Sequence, residues 1–408
     1  MPETSTKLWI KASLFNLLIV ASIGVLMRFK IGFEFPLFDQ KHLQYAHSHF
    51  AFNGWITQTL FVLIIQFLTP YLGSKRLQSY RNLVITNLIC AYAMLVLFAI
   101  EGYGLGSIFF STLSVFVSFV FAFFCYSDLN KAEGNHPSIL WFRASLIFAV
   151  LSSIGTFSLA YMMGTKHIPQ HAYLVSVYWF LHFQYNGWFF FACIGLLLAL
   201  VTNIIPNFKI SNSVFWLFAL SCIPAYGLST LWLDLPIWLY LIIVAGAVGQ
   251  FVGWIKLFNT LRNCSFLKND QIHLLHKFLL VAVAIALTVK LSLQLASIVP
   301  AISKLAFGFR PIVIAYLHLI LLAILSVFLI TYFSAIGLIS MNLRSKIGLV
   351  IFGAGVFINE ILLATQGIAS LTYHVVPYIN ELLFVTSIIL FSGIATLILG
   401  QFIKPVCK

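Results

Sequence analysis

With 408 residues, 61% of them hydrophobic, only 8% charged and 41 of them Phe, this chain has too much apolar surface to fold in water. The formal charge of +13 comes from cations scattered along the sequence rather than gathered on one stripe, which excludes a nucleic-acid binder and, with the apolar bulk, a soluble enzyme. What remains is an all-α polytopic membrane protein: apolar runs of about 20 residues match a ~30 Å hydrocarbon core, and the ten-residue alternation of a membrane barrel is absent.

In chain order, spans are expected near 8–27, 44–68, 82–100, 107–126, 139–163, 172–205, 212–232, 236–258, 272–299, 311–336, 347–368 and 379–403, twelve crossings in all. The first run is as apolar as a signal peptide, but no small-x-small cleavage site precedes Arg28, so a retained helix is expected. The longest connection, around 29–43, is an outer loop. With the N-terminus inside, sixteen of the 23 Lys and Arg, Lys404 and Lys408 among them, fall on inner segments, six fall on outer ones, and Lys290 lies within a span. That positive-inside bias puts both termini in the cytoplasm and assigns the net charge to topology and anionic headgroups. The six cysteines, Cys90, Cys125, Cys193, Cys222, Cys264 and Cys407, form no CxxC and imply neither a disulfide framework nor a zinc knuckle.

The second and sixth spans share a segment. Tyr45-Ala-His-Ser-His49-Phe50-Ala51-Phe52-Asn53-Gly54-Trp55 aligns with Tyr178-Trp-Phe-Leu-His182-Phe183-Gln184-Tyr185-Asn186-Gly187-Trp188. A similar step beyond His182 reaches His318, in Tyr316-Leu-His318, without the Asn-Gly-Trp. The pattern suggests one domain of three four-helix pseudo-repeats, roughly 1–133, 134–268 and 269–408, with a histidine on the second, sixth and tenth spans at matched depth, roughly 7 to 15 Å below the outer surface. A single such histidine is usually a core ring bonded to a carbonyl. Three in matched positions point to a site, because ionisable groups inside spans are costly and neutral imidazole is the commonest metal ligand.

His47 and His49 diverge by ~200° on a helix and cannot readily chelate one metal. Asn53 and Asn186 lie one turn beyond their histidines, placed to bond a ligand or to fix the ring. Gly54 and Gly187 allow a neighbouring helix or a flat macrocycle to come close. Lys290 and Glu360 are the most deeply placed charges, readable as a buried pair or as a proton or ion path with Thr288, Gln294, Asn359 and Gln366 nearby by spacing. His42, His167, His171 and His374 fall in or beside outer connections, where they are solvated or receive copper. His273 and His276 look interfacial, and His136 carries no signal.

Twelve helices in three groups of four, with histidines on the second, sixth and tenth, resemble the catalytic subunit of haem-copper oxidases and nitric oxide reductases. The His-x-His entering the second span is also similar to the NnrS family of haem- and copper-containing nitric-oxide-tolerance proteins. The resemblance covers the whole length in topology and some thirty residues in motif. It implies a haem b held by His47 or His49 together with His318, propionates turned to outer cations such as Arg310, Arg28 and Lys166, and copper or non-haem iron at His182 beside Asn186. Tyr316 stands where that family has the ligand of a high-spin haem, and the seventh span lacks the family's histidine pair. The binuclear site is therefore expected to be degenerate, without dioxygen reduction by the usual mechanism.

The implied function is a b-type haem protein of respiratory electron transfer, nitric oxide handling or oxidase maturation in a bacterial inner membrane, working with a redox partner or a respiratory complex. Whether it turns over a substrate stays open. A transporter for a metal ion, haem or small solute is the competing reading, and its usual two-fold or inverted repeats differ from the three parallel copies here.

Overall fold

The structure, a computed structural model, describes residues 3–132 and 136–402. Lys404, Lys408, Cys407 and the expected end of the last span at 403 lie outside the described residues. Within them the fold is all-α, with no strand and with twelve helices long and apolar enough to cross a membrane. These run Thr4–Gly32, Gln40–Tyr71, Ser74–Glu101, Leu105–Asp128, Ser138–Thr165, Gln170–Ile204, Asn212–Thr230, Ile237–Lys268, Leu274–Ala296, Arg310–Ala335, Leu343–Leu371 and Ile379–Gly400. Each contains or nearly coincides with its expected span. The chain is an integral membrane protein, and Leu8, Phe123, Phe278 and Phe357, all more than half exposed, face the lipid as the only apolar solvent available to them.

Two boundaries shift for local reasons. The connection expected at 29–43 shrinks to residues 33–39, because the first helix continues to Gly32 and Asp39 starts the second by accepting from the backbone N–H groups of Lys41 and His42. A short helix, Pro300–Gly308, opens on a proline at its first turn and precedes the tenth span. It is too short for a twenty-residue apolar reading to find.

The chain divides into two compact units, Met1–Phe121 with Leu329–Lys408, and Ala122–Phe328. In the first, the closing pair of helices, Leu343–Leu371 and Ile379–Gly400, packs through small residues: a Cβ on Gly393 would sit 2.5 Å from the Phe352 nitrogen, so only glycine allows that approach. The first span lies along the twelfth, with Phe29 and Phe384 5.8 Å apart. Aromatic stacking ties the fourth span to the second, Phe61 on Phe121 at 3.7 Å.

In the second unit, consecutive spans are joined by side-chain hydrogen bonds, two of them to backbone carbonyls. Trp179 of the sixth span donates to the Leu151 carbonyl of the fifth, and Tyr226 of the seventh donates to Val175 of the sixth. Trp254 of the eighth donates to the Thr288 hydroxyl of the ninth. Trp141, Phe191, Phe215 and Phe218 form the aromatic interior between the fifth, sixth and seventh spans. The spans carrying the shared histidine segment are the most enclosed of the twelve: 72% of the apolar stretch is buried in the second and in the sixth, against 56% at most elsewhere.

Candidate functional site

The second, sixth and tenth spans are not continuous α-helices. Each changes to a π-helix directly after its histidine: Phe50–Thr57 after His49, Phe183–Phe189 after His182, and Leu319–Ser326 after His318. The change is visible in single bonds, as the Gln58 N–H reaches the Asn53 carbonyl and the Val327 N–H reaches Leu322, each five residues back. π-turns are rare and concentrate at functional sites, because the extra residue per turn displaces carbonyls and re-aims side chains. The tenth span has the joint although it lacks the Asn-Gly-Trp of the other two.

Carbonyls displaced by a π-turn need partners in hydrocarbon, and neighbouring spans supply them. Asn16, 1% exposed on the first span, donates to the Gly54 carbonyl at 2.5 Å and accepts from the Tyr92 hydroxyl at 2.9 Å. Asn87 of the third span donates to the Asn53 carbonyl at 3.4 Å and to Gln58 Oε1 at 2.8 Å. In the second unit, the Cys222 thiol donates to the Asn186 carbonyl at 3.7 Å. In the tenth span, the Ser326 hydroxyl returns to Leu321 within the same π-turn.

The histidines differ in what they touch. His182 is 1% exposed and bonded at both ring nitrogens: Nδ1 faces the Asn186 amide at 3.0 Å, and Nε2 faces the Cys222 carbonyl at 2.8 Å. The Asn186 amide therefore fixes the ring, one of the two roles its spacing allowed, and Nε2 carries the proton because a carbonyl can only accept. His318 is half-buried and turns Nδ1 to the Ile314 carbonyl at 2.8 Å, so the proton sits on Nδ1 and the basic lone pair on Nε2. His49 stacks on Phe98 at 4.1 Å with Nε2 3.2 Å from the Tyr103 hydroxyl, whereas His47 turns its ring toward Gly24 of the first span. The two rings meet different neighbours, as their separation of ~200° around the helix requires.

Asn53 keeps its side-chain Nδ2 buried with no hydrogen-bond partner, one turn beyond His49. Tyr316 packs edge-on against Tyr185 at 6.4 Å. Arg310 is exposed at the first residue of its helix, roughly 12 Å along the axis from His318. Glu360 belongs to the first unit and accepts from the Asn359 amide at 3.1 Å. Lys290 belongs to the second, where it lines a small cavity with Asn186 and Gln250. The Thr288 hydroxyl, expected near Lys290, joins the ninth span to Trp254 of the eighth.

Haem and copper fare differently against these residues. His318, with a basic Nε2 and an anchored Nδ1, has the form of an axial imidazole. His182 has no nitrogen turned outward, and no three His, Cys, Asp or Glu side chains gather among the described residues, so the donor set does not fit copper. Sequence reasoning found the three histidines but missed Asn16, Asn87 and Cys222 as polar partners and Gln250 as a buried amide. Their signal was available, since each is a hydrogen-bonding residue inside an apolar span. No family model matches the chain, and a search of curated proteins finds no relative.

Proposed function

We propose that this chain is a haem-binding integral membrane protein, with His318 of the tenth span as an axial imidazole. The observation that carries the reading is the histidine at an α-to-π joint on three spans, with His318 held in the tautomer whose Nε2 is basic. When bound, haem supplies one-electron chemistry. Residues of the second unit would hold and orient it: the Ile314 carbonyl fixes the His318 ring, and Arg310 is a cation at the expected outer end for a propionate. The same reading places the termini in the cytoplasm of a bacterial inner membrane and gives the protein a part in electron transfer, nitric oxide handling or oxidase maturation beside a redox partner. Copper at His182 is not carried forward.

The purified protein should show the reduced-minus-oxidised bands of a six-coordinate b haem, and His318→Ala should abolish them while His182→Ala keeps them. An unchanged spectrum in His318→Ala defeats that ligand, and a colourless preparation defeats the haem reading. A transporter of a small solute is the second reading, favoured by the polar residues Lys290, Gln250 and Asn186 around a cavity within the spans. Substrate-dependent uptake by a colourless protein would select it.

A further inference from the structure

The fifth and sixth spans touch closely at one place and leave a groove beside it. A Cβ on Gly155 would stand 2.5 Å from the Ser176 carbonyl oxygen and 2.8 Å from the Phe180 nitrogen, so glycine lets the two backbones meet there. Around that crossing, Ala172 and Ser176 of the sixth span and Ile154, Phe157, Ser158 and Tyr161 of the fifth line an open groove of about 530 Å³. Ser176 is buried at its floor, whereas Ile154, Phe157 and Tyr161 are exposed along its rim. The volume is that of a small-molecule site, roughly 300–1,000 Å³. Along the fifth span the groove runs ~12 Å from Ile154 to Met162, most of the hydrocarbon depth of one leaflet, which is about half of ~30 Å.

Its chemistry changes in a fixed order along that length. Ile154 and Phe157 make the deep end apolar. Ser158 and Tyr161 follow, two hydroxyls three residues apart on one helix face. Four residues past Met162 the chain turns out of the helix at Lys166, in the left-handed conformation, and Lys166 and His167 are both exposed on the short connection to the sixth span. Among the described residues Lys166 joins no ion pair. From Ser138 to Leu233 the sequence has no Asp or Glu, and the next carboxylate, Asp234, belongs to the connection after the seventh span.

A glycerophospholipid has the same order: a phosphate, ester carbonyls next to it, then an acyl chain. An ammonium and an imidazole N–H suit the phosphate, hydroxyls donate to the carbonyls, and Phe157 and Ile154 take the chain. A choline or ethanolamine head would bring a cation that meets no carboxylate on these two spans. A helix of a second copy would cover the apolar end and leave Lys166 without a counter-charge.

We propose that the groove between the fifth and sixth spans holds one molecule of an anionic glycerophospholipid, its phosphate at Lys166 and His167 and one acyl chain along Phe157 and Ile154. The site is independent of the haem reading.

The test titrates the full chain, delipidated in a mild detergent, with phosphatidylglycerol and with phosphatidylethanolamine of the same acyl chains, and counts one-to-one adducts by native mass spectrometry. Phosphatidylglycerol should fill one tight site at concentrations where phosphatidylethanolamine does not. Lys166→Gln should weaken that site about fivefold, the factor a basic side chain contributes beside an anionic headgroup, while Lys304→Gln, an exposed lysine on another segment, leaves it unchanged. Ala172→Trp, at an exposed position in the first turn of its helix, fills the groove and should abolish the site. Equal binding of the two lipids, tight phosphatidylglycerol binding that survives Ala172→Trp, or equal losses in Lys166→Gln and Lys304→Gln would each overturn the proposal. Palmitate binding as tightly as phosphatidylglycerol would overturn it too, in favour of a fatty acid. If Ala172→Trp does not fold, the comparison of the two lysine variants decides the matter.

Discussion

Asn186 donates its side-chain amide to Nδ1 of His182, one turn back along the same span, while the opposite nitrogen of that ring donates to the Cys222 carbonyl of the seventh span. The imidazole is a strut between two helices. Asn186→Leu would leave Nδ1 buried without a donor. A buried orphan costs about 1–3 kcal/mol in water-soluble proteins, but in membranes the unfolded reference also finds partners and measured hydrogen bonds average roughly 0.6 kcal/mol. The expected loss is therefore about 1 kcal/mol in denaturant unfolding in mixed micelles. His182→Ala removes both bonds and opens a cavity, so it should cost more. The double variant should fall well short of the sum, because both changes act on one network; simple additivity would show that the contact carries no stability.

The twelve crossings were legible because hydropathy over twenty residues measures the property that decides membrane insertion. The histidine positions were legible because two spans repeat the same segment. The π-joints were not, since the shift from four-residue to five-residue bonding leaves no trace in the apolar pattern of Leu319–Ser326. The partners of His182 were half legible: Asn186 lies one turn away in sequence, whereas the Cys222 carbonyl is forty residues distant and comes near only because the seventh span packs on the sixth. Gln250 passed unnoticed as a lone amide in an apolar helix.

Gly54 and Gly187 occupy the same place in the repeated segment but meet different neighbours. A Cβ on Gly187 would stand 2.5 Å from the Cβ of Phe148 on the fifth span, an atom fixed to its backbone. A Cβ on Gly54 would meet the ring of Phe50 at 2.6 Å, the far end of a side chain that can turn. Gly187→Ala should thus cost about 1–3 kcal/mol as an overpacked core, and Gly54→Ala should cost less. Adding Phe148→Ala to Gly187→Ala should recover part of the loss. Equal sensitivity of the two glycines would show that the fifth and sixth spans separate without strain.

Asn16 tests what the π-turn requires of its surroundings. It donates to the Gly54 carbonyl and accepts from Tyr92, tying the first and third spans to the joint of the second. Asn16→Leu fills much the same space and leaves both groups unpaired, so a loss of about 1 kcal/mol is expected. Tyr92→Phe removes only one of the bonds and should cost about half as much. Hydrogen exchange at the amides of the second span after His49 should rise in Asn16→Leu above the rise in Tyr92→Phe; unaltered exchange would mean that the joint holds without its side-chain partner.

Asp39 provides a pH-dependent readout outside the membrane. Its carboxylate accepts from the backbone N–H groups of His42 and Lys41, and those bonds, His42 first, hold its pKa below the ordinary carboxylate value. A depressed pKa favours the charged, folded form. The contribution is complete above the unfolded value of about 4 and is lost as pH falls through the lower folded value. The Lys41 and His42 amides should accordingly lose exchange protection, relative to helix-interior amides, as the medium is acidified below about pH 4. Asp39→Asn retains an acceptor at the helix start and loses the acid transition, whereas Asp39→Ala exposes both amides at every pH. Persistence of the transition in Asp39→Asn would assign it to another group.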